Sequence, residues 1–151
     1  MQEKEILDEN LLEWILKTAG ICRIALCDRN APYIIPMNFV YHPCCLYLHS
    51  ATEGKKIELM KRDNRVGFAV DLDCEMVVAG KPCAWSMKYY SVVGHGRAYF
   101  VESMQEKKKA LDTLVSKYAG RMTSPYEYSS LDCVTVIKVA IEKMTGKKSG
   151  Y

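Results

Sequence analysis

The chain has 151 residues, enough for a single domain over 1–151 with a core that needs no metal or disulfide staples. It is 49% hydrophobic and 26% charged with a formal net charge of +3, which excludes a disordered chain and a polybasic nucleic-acid surface. No apolar run approaches a membrane span, and MQEKEILDEN lacks the pattern of an export signal, so the expectation is a cytoplasmic protein with no membrane and no nucleic-acid partner.

Residues 1–20 read as an N-terminal helical segment. Over 3–18, Leu7, Leu11, Trp14 and Ile15 recur at helical spacing, Leu12 and Leu16 lie one stripe over, and Gly20 supplies the stop. ICRIALC (21–27) is a strand by its β-branched content, followed by the turn residues Asp28, Arg29 and Asn30. PYIIPMNFVY (32–41) is a second strand in which Pro36, lacking a ladder donor, marks an edge or a bulge. His42-Pro43 turns the chain into a third strand at 45–49, and a short helix follows at 54–62.

RVGFAVD (65–71) is the fourth strand, and 73–88, with Gly80 and Pro82, reads as a long excursion. Loops of that length are usually functional or mobile. YYSVVGHGRAYFVE (89–102) is a long strand bent at its glycines. Ser103 then caps an amphipathic helix whose buried stripe is Ala110, Leu111, Leu114, Val115 and Tyr118. CVTVIKVAIEKM (133–144) alternates as a last strand, and 145–151 reads as a flexible tail. Six strands, with 21–49 too closely spaced for crossover helices, predict a mainly β protein, an antiparallel barrel with peripheral helices.

Seven cysteines form an odd set with no C-x-x-C pair, and the three histidines are scattered, so reduced and mostly buried thiols are expected and no metal site. His95 between two glycines reads as a packing or bulge position, and His42 before a proline as exposed. Lys107, Lys108 and Lys109 read as a solvated helix face, while Tyr126 and Tyr128 sit in no motif.

The stretch LYLHSATEGKKIELMKRD (46–63) carries most of the chemistry: a strand runs into a hydroxyl, a glycine and two lysines just where a helix begins. Ser50 offers a donor, Gly54 permits close backbone approach, and the first helical amides have no intrahelical partners. Lys55 and Lys56 oppose the helix dipole unless an anion lies between them. Two readings stand: a phosphate cradle, or a solvated turn. Neither G-x-x-x-x-G-K-[ST] nor G-x-G-x-x-G is present, so the spacing alone names no ligand.

Three pieces in order, P-Y-x-x-P-x-N-F-x-Y, H-S-A followed by x-x-G-K-K, and Y-x-S-V-V-x-x-G-R-A, make the chain resemble the pyridoxamine-phosphate-oxidase-like flavoproteins over 5–148, and within them the nitroimidazole-resistance (Nim-type) branch. The resemblance implies an FMN-binding split β-barrel, a small-molecule substrate, and a homodimer with flavin sites at the subunit interface. By position, His49, Ser50 and Ala51 match the strand end beside the flavin, and Lys55 and Lys56 the pair that grips its phosphate. Met37 and Asn38 match backbone lining the flavin ring, Arg23 a strand position near FMN, and Ser91 the point from which the partner subunit reaches the flavin. Trp85 is open between covering the flavin ring and plugging a dimer seam.

His49 is the candidate catalytic residue, since an imidazole with its ordinary pKa of roughly 6.5 can hand over a proton near neutral pH; a hydrogen-bonded barrel histidine is the alternative. The chain ends in EKMTGKKSGY rather than the basic and aromatic segment of the true oxidases, so pyridoxamine-phosphate oxidation is not expected, and 73–88 is the segment expected to set selectivity. The resemblance implies an FMN-dependent oxidoreductase that reduces an acceptor such as a nitroaromatic (nitroimidazole) compound. The alternative is a non-catalytic flavin- or haem-binding carrier or sensor.

Overall fold

The computed structural model describes residues 3–120 and 131–151; Tyr126 and Tyr128 lie outside the described residues. Among the described residues, eight antiparallel strands and three α-helices follow one another: β1 (Glu3–Ile6), α1 (Glu9–Thr18), β2 (Cys22–Asp28), β3 (Ala31–Met37), β4 (Phe39–His42), β5 (Cys45–Ser50), α2 (Lys55–Arg62), β6 (Arg65–Val77), β7 (Ser86–Phe100), α3 (Met104–Ala119) and β8 (Thr135–Ser149). The sheet order is β3-β2-β6-β7-β8-β5-β4, with β1 added on β8. The expected antiparallel barrel with peripheral helices is present. The count rises from six strands to eight for two local reasons, at the N-terminus and at Asn38.

The N-terminal reading was too long on its helix. Glu3–Ile6 pairs with the end of β8, and the helix starts only at Glu9, where the Asp8 side chain accepts from the Asn10 amide at 2.9 Å. Leu7 is consequently exposed, and the buried stripe is Leu12, Ile15 and Leu16 rather than the Leu7–Trp14 row. The run 32–41 divides at Asn38 into β3 and β4. Pro36 sits opposite Arg23 on β3, which is an edge strand and so leaves no ladder bond missing on its open side.

Half of the excursion over 73–88 is strand. Glu75, Met76 and Val77 pair with Lys88, Met87 and Ser86 beyond a bulge at Leu72/Glu75, leaving a tip of 78–85 with a 3₁₀ turn at Pro82–Ala84. Gly80 and Pro82 mark that tip, not the whole segment.

The C-terminal tail is also ordered, contrary to expectation. Lys148 lies between Lys4 of β1 and Tyr90 of β7, and the Tyr151 ring stacks on Tyr90 at 4.6 Å while its hydroxyl donates to the Asp73 carbonyl at 2.9 Å. Gly146 is what lets this end of β8 pass beneath α1: a Cβ there would stand 2.3 Å from Leu12 Cδ2. At the β7 glycines the expected irregularity appears as a register shift between His95 and Gly96.

Two apolar clusters hold the fold. The larger fills the barrel and gathers Leu12, Ile15 and Leu16 of α1 and Ile57, Leu59 and Met60 of α2 against Phe39, Leu48, Val70 and Ile137. The smaller lies outside the barrel, where Ala110, Leu111 and Leu114 of α3 pack on Val40, Leu131 and Val136. All seven thiols are free, but only Cys22 and Cys45 are buried, so the expectation of mostly buried cysteines is corrected. Cys27 lies next to the end of β2, Cys74 in the bulge of β6 and Cys133 in a turn, where an apolar neighbourhood in sequence does not mean an inward side chain. Among the described residues no cluster of His, Cys, Asp and Glu could hold a metal. Among them, too, no helix is long and apolar enough to cross a membrane.

Candidate functional site

β5 ends the way its alternation requires. Leu46, Leu48 and Ser50 point into the barrel, while Tyr47 and His49 face the side on which α3 packs. Ser50 is 6% exposed, and its Oγ is buried with no hydrogen-bond partner. A hydroxyl in that condition costs free energy unless something completes it. Ala51 follows in the exposed connection to Gly54, whose φ of 118° is a conformation glycine adopts without strain.

Gly54 is the N-cap of α2, and no side chain caps the helix, although the Gly54 carbonyl accepts from the Ile57 and Glu58 amides at 2.9 and 3.1 Å. The two lysines at this helix start differ. Lys55 pairs with Asp28 at 2.8 Å and lies over the Tyr33 ring at 4.8 Å. The pairing raises the Lys55 pKa and, together with Arg62, holds the Asp28 carboxyl below its ordinary value. Lys56 is half-buried and makes no ion pair among the described residues. One anion at the cationic corner is therefore Asp28, a residue the sequence presented only as a turn former.

His49 is exposed and lines a slot of about 670 Å³ between β5 and the C-terminal half of α3. Asn38, at the break between β3 and β4, lines the same slot. Its walls are Leu111, Leu114 and Val115 of α3, closed by Leu131 and Val134. Tyr118 is the one further polar residue among the described lining residues, and its hydroxyl is already committed: it accepts from the Phe39 amide at 2.9 Å and lies 2.8 Å from the Gly20 carbonyl and 3.0 Å from the Phe39 carbonyl. Tyr118 thereby ties α3 to the Asn38–Phe39 break and to the joint between α1 and β2. Its sequence signal was only its place on the buried stripe of α3.

The other predicted positions lie elsewhere. Arg23 is exposed on β2 and pairs with Asp71 of β6. Asp71 sits opposite Ser91, which in turn sits opposite Lys147 of β8. By register, Arg23, Asp71 and Ser91 share the outer face of the sheet with Ile34 and Val93, which are 60% and 50% exposed. Met37 is buried in the core at the end of β3. Trp85 stands half-exposed at the tip of the β6–β7 hairpin, its indole N–H donating to the Ala79 carbonyl at 2.8 Å. Within one chain, then, His49 and Asn38 meet in the slot, Ser50, Ala51, Lys55 and Lys56 bracket the start of α2, and Arg23 and Ser91 occupy the outer sheet face. Trp85 lines neither the slot nor this face in the single chain.

Such an architecture, an antiparallel split β-barrel with a helix start beside the end of β5, defines the class. A sequence model described as pyridoxamine 5'-phosphate oxidase matches residues 8–148. The chain belongs to that family. It is similar to a candidate 5-nitroimidazole antibiotic resistance protein of Bacteroides thetaiotaomicron, at 36% identity and a TM-score of 0.86, covering 97% of this chain and 87% of that one. An FAD and haem binding protein of Mycobacterium smegmatis shares the fold at 20% identity and TM-score 0.84, covering 98% of this chain and 74% of that one. A flavocytochrome of Azotobacter vinelandii does so at 17% identity and TM-score 0.83, with 97% and 70% covered. No curated protein matches the chain.

Proposed function

We propose that this chain is an FMN-dependent oxidoreductase acting on small-molecule acceptors, nitroaromatic compounds among them, and working as a homodimer. The observation that carries the reading is the buried, unpartnered Ser50 hydroxyl four residues before the uncapped start of α2, with Lys56 in no ion pair among the described residues. These are the parts a phosphate needs: a donor without a partner, amides without acceptors, and a cation without an anion. The family and the flavin-binding proteins that share the fold support a flavin as its bearer.

In this reading Ser50, Lys56 and the first amides of α2 hold the phosphate, and Lys55 shares its charge between that phosphate and Asp28. Met37 and Asn38 offer backbone to the ring, Ala51 gives room at the strand end, and Arg23 lies near the cofactor. When bound, FMN takes two electrons from a reduced donor and yields them to an acceptor; the protein supplies grip, orientation and protons. His49, exposed at the slot, is the proton source and is reprotonated from solvent. A nitro group receiving two electrons and two protons leaves as a nitroso group and water.

The exposed apolar residues Ile34 and Val93 on the face that carries Ser91 favour a second copy of the chain there, with Ser91 reaching the partner's flavin and Trp85 at the seam or over the ring. The test is anaerobic. Protein loaded with FMN and reduced by NADH or dithionite should be reoxidised by 4-nitrobenzyl alcohol with a rate proportional to protein, and His49→Gln should slow this about a hundredfold. A flavin that binds and reduces yet is reoxidised only by air would make the protein a carrier or sensor instead.

A further inference from the structure

The Asp28 carboxylate ties both ends of α2 to the end of β2. One oxygen takes the Lys55 amine at 2.8 Å and the other takes the Arg62 guanidinium at 3.2 Å. Lys55 opens the helix and Arg62 closes it. We propose that Asp28 is a built-in rival of the cofactor's phosphate: it holds Lys55 in reserve, yields it when the flavin binds, and so keeps FMN exchangeable. The inference rests on the flavin reading and assigns a regulating residue to that same corner.

The Lys55 amine lies against the β2–β3 hairpin, where it meets Asp28 and stands 4.8 Å from the centroid of the Tyr33 ring. Its hydrogen bond to Asp28 raises the Lys55 pKa. The same bond, with that from Arg62, holds the Asp28 carboxyl below its ordinary value, so both partners are charged at neutral pH. Glu53 and Glu58 flank the helix start in sequence, yet among the described residues neither pairs with Lys55. A phosphate at the start of α2 therefore has Lys56 and the Ser50 hydroxyl open to it, and gains Lys55 only by taking it from a carboxylate. A phosphate monoester carries about −1.5 to −2 charges near pH 7 against one for the carboxylate, so it wins the amine. Arg62 stays on the other Asp28 oxygen, and the carboxylate keeps a partner when Lys55 departs. The Lys55 side chain is half-exposed and turns without disturbing the core. Apparent affinity is the intrinsic affinity reduced by the fraction of molecules in which Lys55 is available, and Asp28 sets that fraction.

The test is a double-mutant cycle on Asp28→Asn and Lys55→Gln, read as the dissociation constants of FMN and of riboflavin from the quenching of flavin fluorescence. Folding of each variant is checked by its melting curve. Asp28→Asn should tighten FMN about fivefold and leave riboflavin, which has no phosphate, unchanged. A gain of affinity cannot come from a damaged fold, so its sign separates a rival from a mere structural tie. Lys55→Gln should weaken FMN only about twofold in the wild type, where Asp28 already holds the amine, and about tenfold in Asp28→Asn, where the amine is free. FMN bound no more tightly by Asp28→Asn would overturn the proposal. So would a gain that persists undiminished beside Lys55→Gln, since the carboxylate would then act only as a distant charge. Should Asp28→Asn fail to fold, Lys55→Gln decides: a loss of tenfold or more in the wild type would show Lys55 already free for the phosphate. Equal affinity of wild-type protein for the two flavins sinks the flavin reading itself, whereas a phosphate preference indifferent to Asp28 sinks this inference alone.

Discussion

Lys117 holds its amine 3.9 Å from the centroid of the Phe39 ring, buried and without a hydrogen-bond partner. Burial pushes its pKa down to about 8 from an ordinary 10.5. A folded-state value below the unfolded one means the unfolded chain binds more protons between these limits, so stability rises as pH climbs from about 8 to 10.5 and is lost as pH falls through 8. Cys22, pushed up to about 12 by burial from 9, works in the opposite sense above pH 9. The window from pH 7 to 9 therefore reports Lys117. Melting temperature should rise across it in the wild type and stay flat in Lys117→Met; a parallel rise in both would contradict the assignment. At the same scale, the glycine and paired lysines were legible in the sequence. That Lys55 answers to Asp28 was not, because the two lie 27 positions apart and only the packing of α2 on β2 brings them together.

At the scale of elements, α3 is fixed to the barrel by more than its apolar stripe. Tyr118 binds the amide of Phe39, the residue that opens β4 after the break at Asn38. Tyr118→Phe leaves that amide without its acceptor, at a cost of about 1–2 kcal/mol. The melting temperature should fall by about 2–6 °C, and the Asn38 amide signal should shift because the break loses its tie to α3. An unchanged melting curve would show that the hydroxyl contributes nothing. The strands around this joint were legible from alternation and β-branched content. The split at Asn38 was not, since PYIIPMNFVY reads as one run and only pairing with two different neighbours divides it. The tail shows the same limit: TGKKSGY has a loop's composition and becomes strand because β1 and β7 offer it ladders on both sides. Long-range pairing overrides local propensity there.

Across the whole molecule, the sheet order brings together residues that are remote in sequence, with His49 meeting α3 on one side and Arg23, Asp71 and Ser91 aligned on another. The motif H-S-A-x-x-G-K-K marked the cationic corner in the sequence; the slot had no motif, because most of its described lining is ordinary aliphatic residues. The flavin reading depends on a phosphate at the start of α2. The direct measurement is an equilibrium titration of apoprotein with FMN and with riboflavin, which differ by the phosphate, in the wild type and in the Lys55→Ala/Lys56→Ala double variant. FMN should bind the wild type at least about a hundredfold more tightly than riboflavin, and the gap should shrink at least about tenfold in the variant, with Lys56 responsible for most of the loss. Equal affinity for the two flavins in the wild type, or a gap that survives both substitutions, would contradict the account.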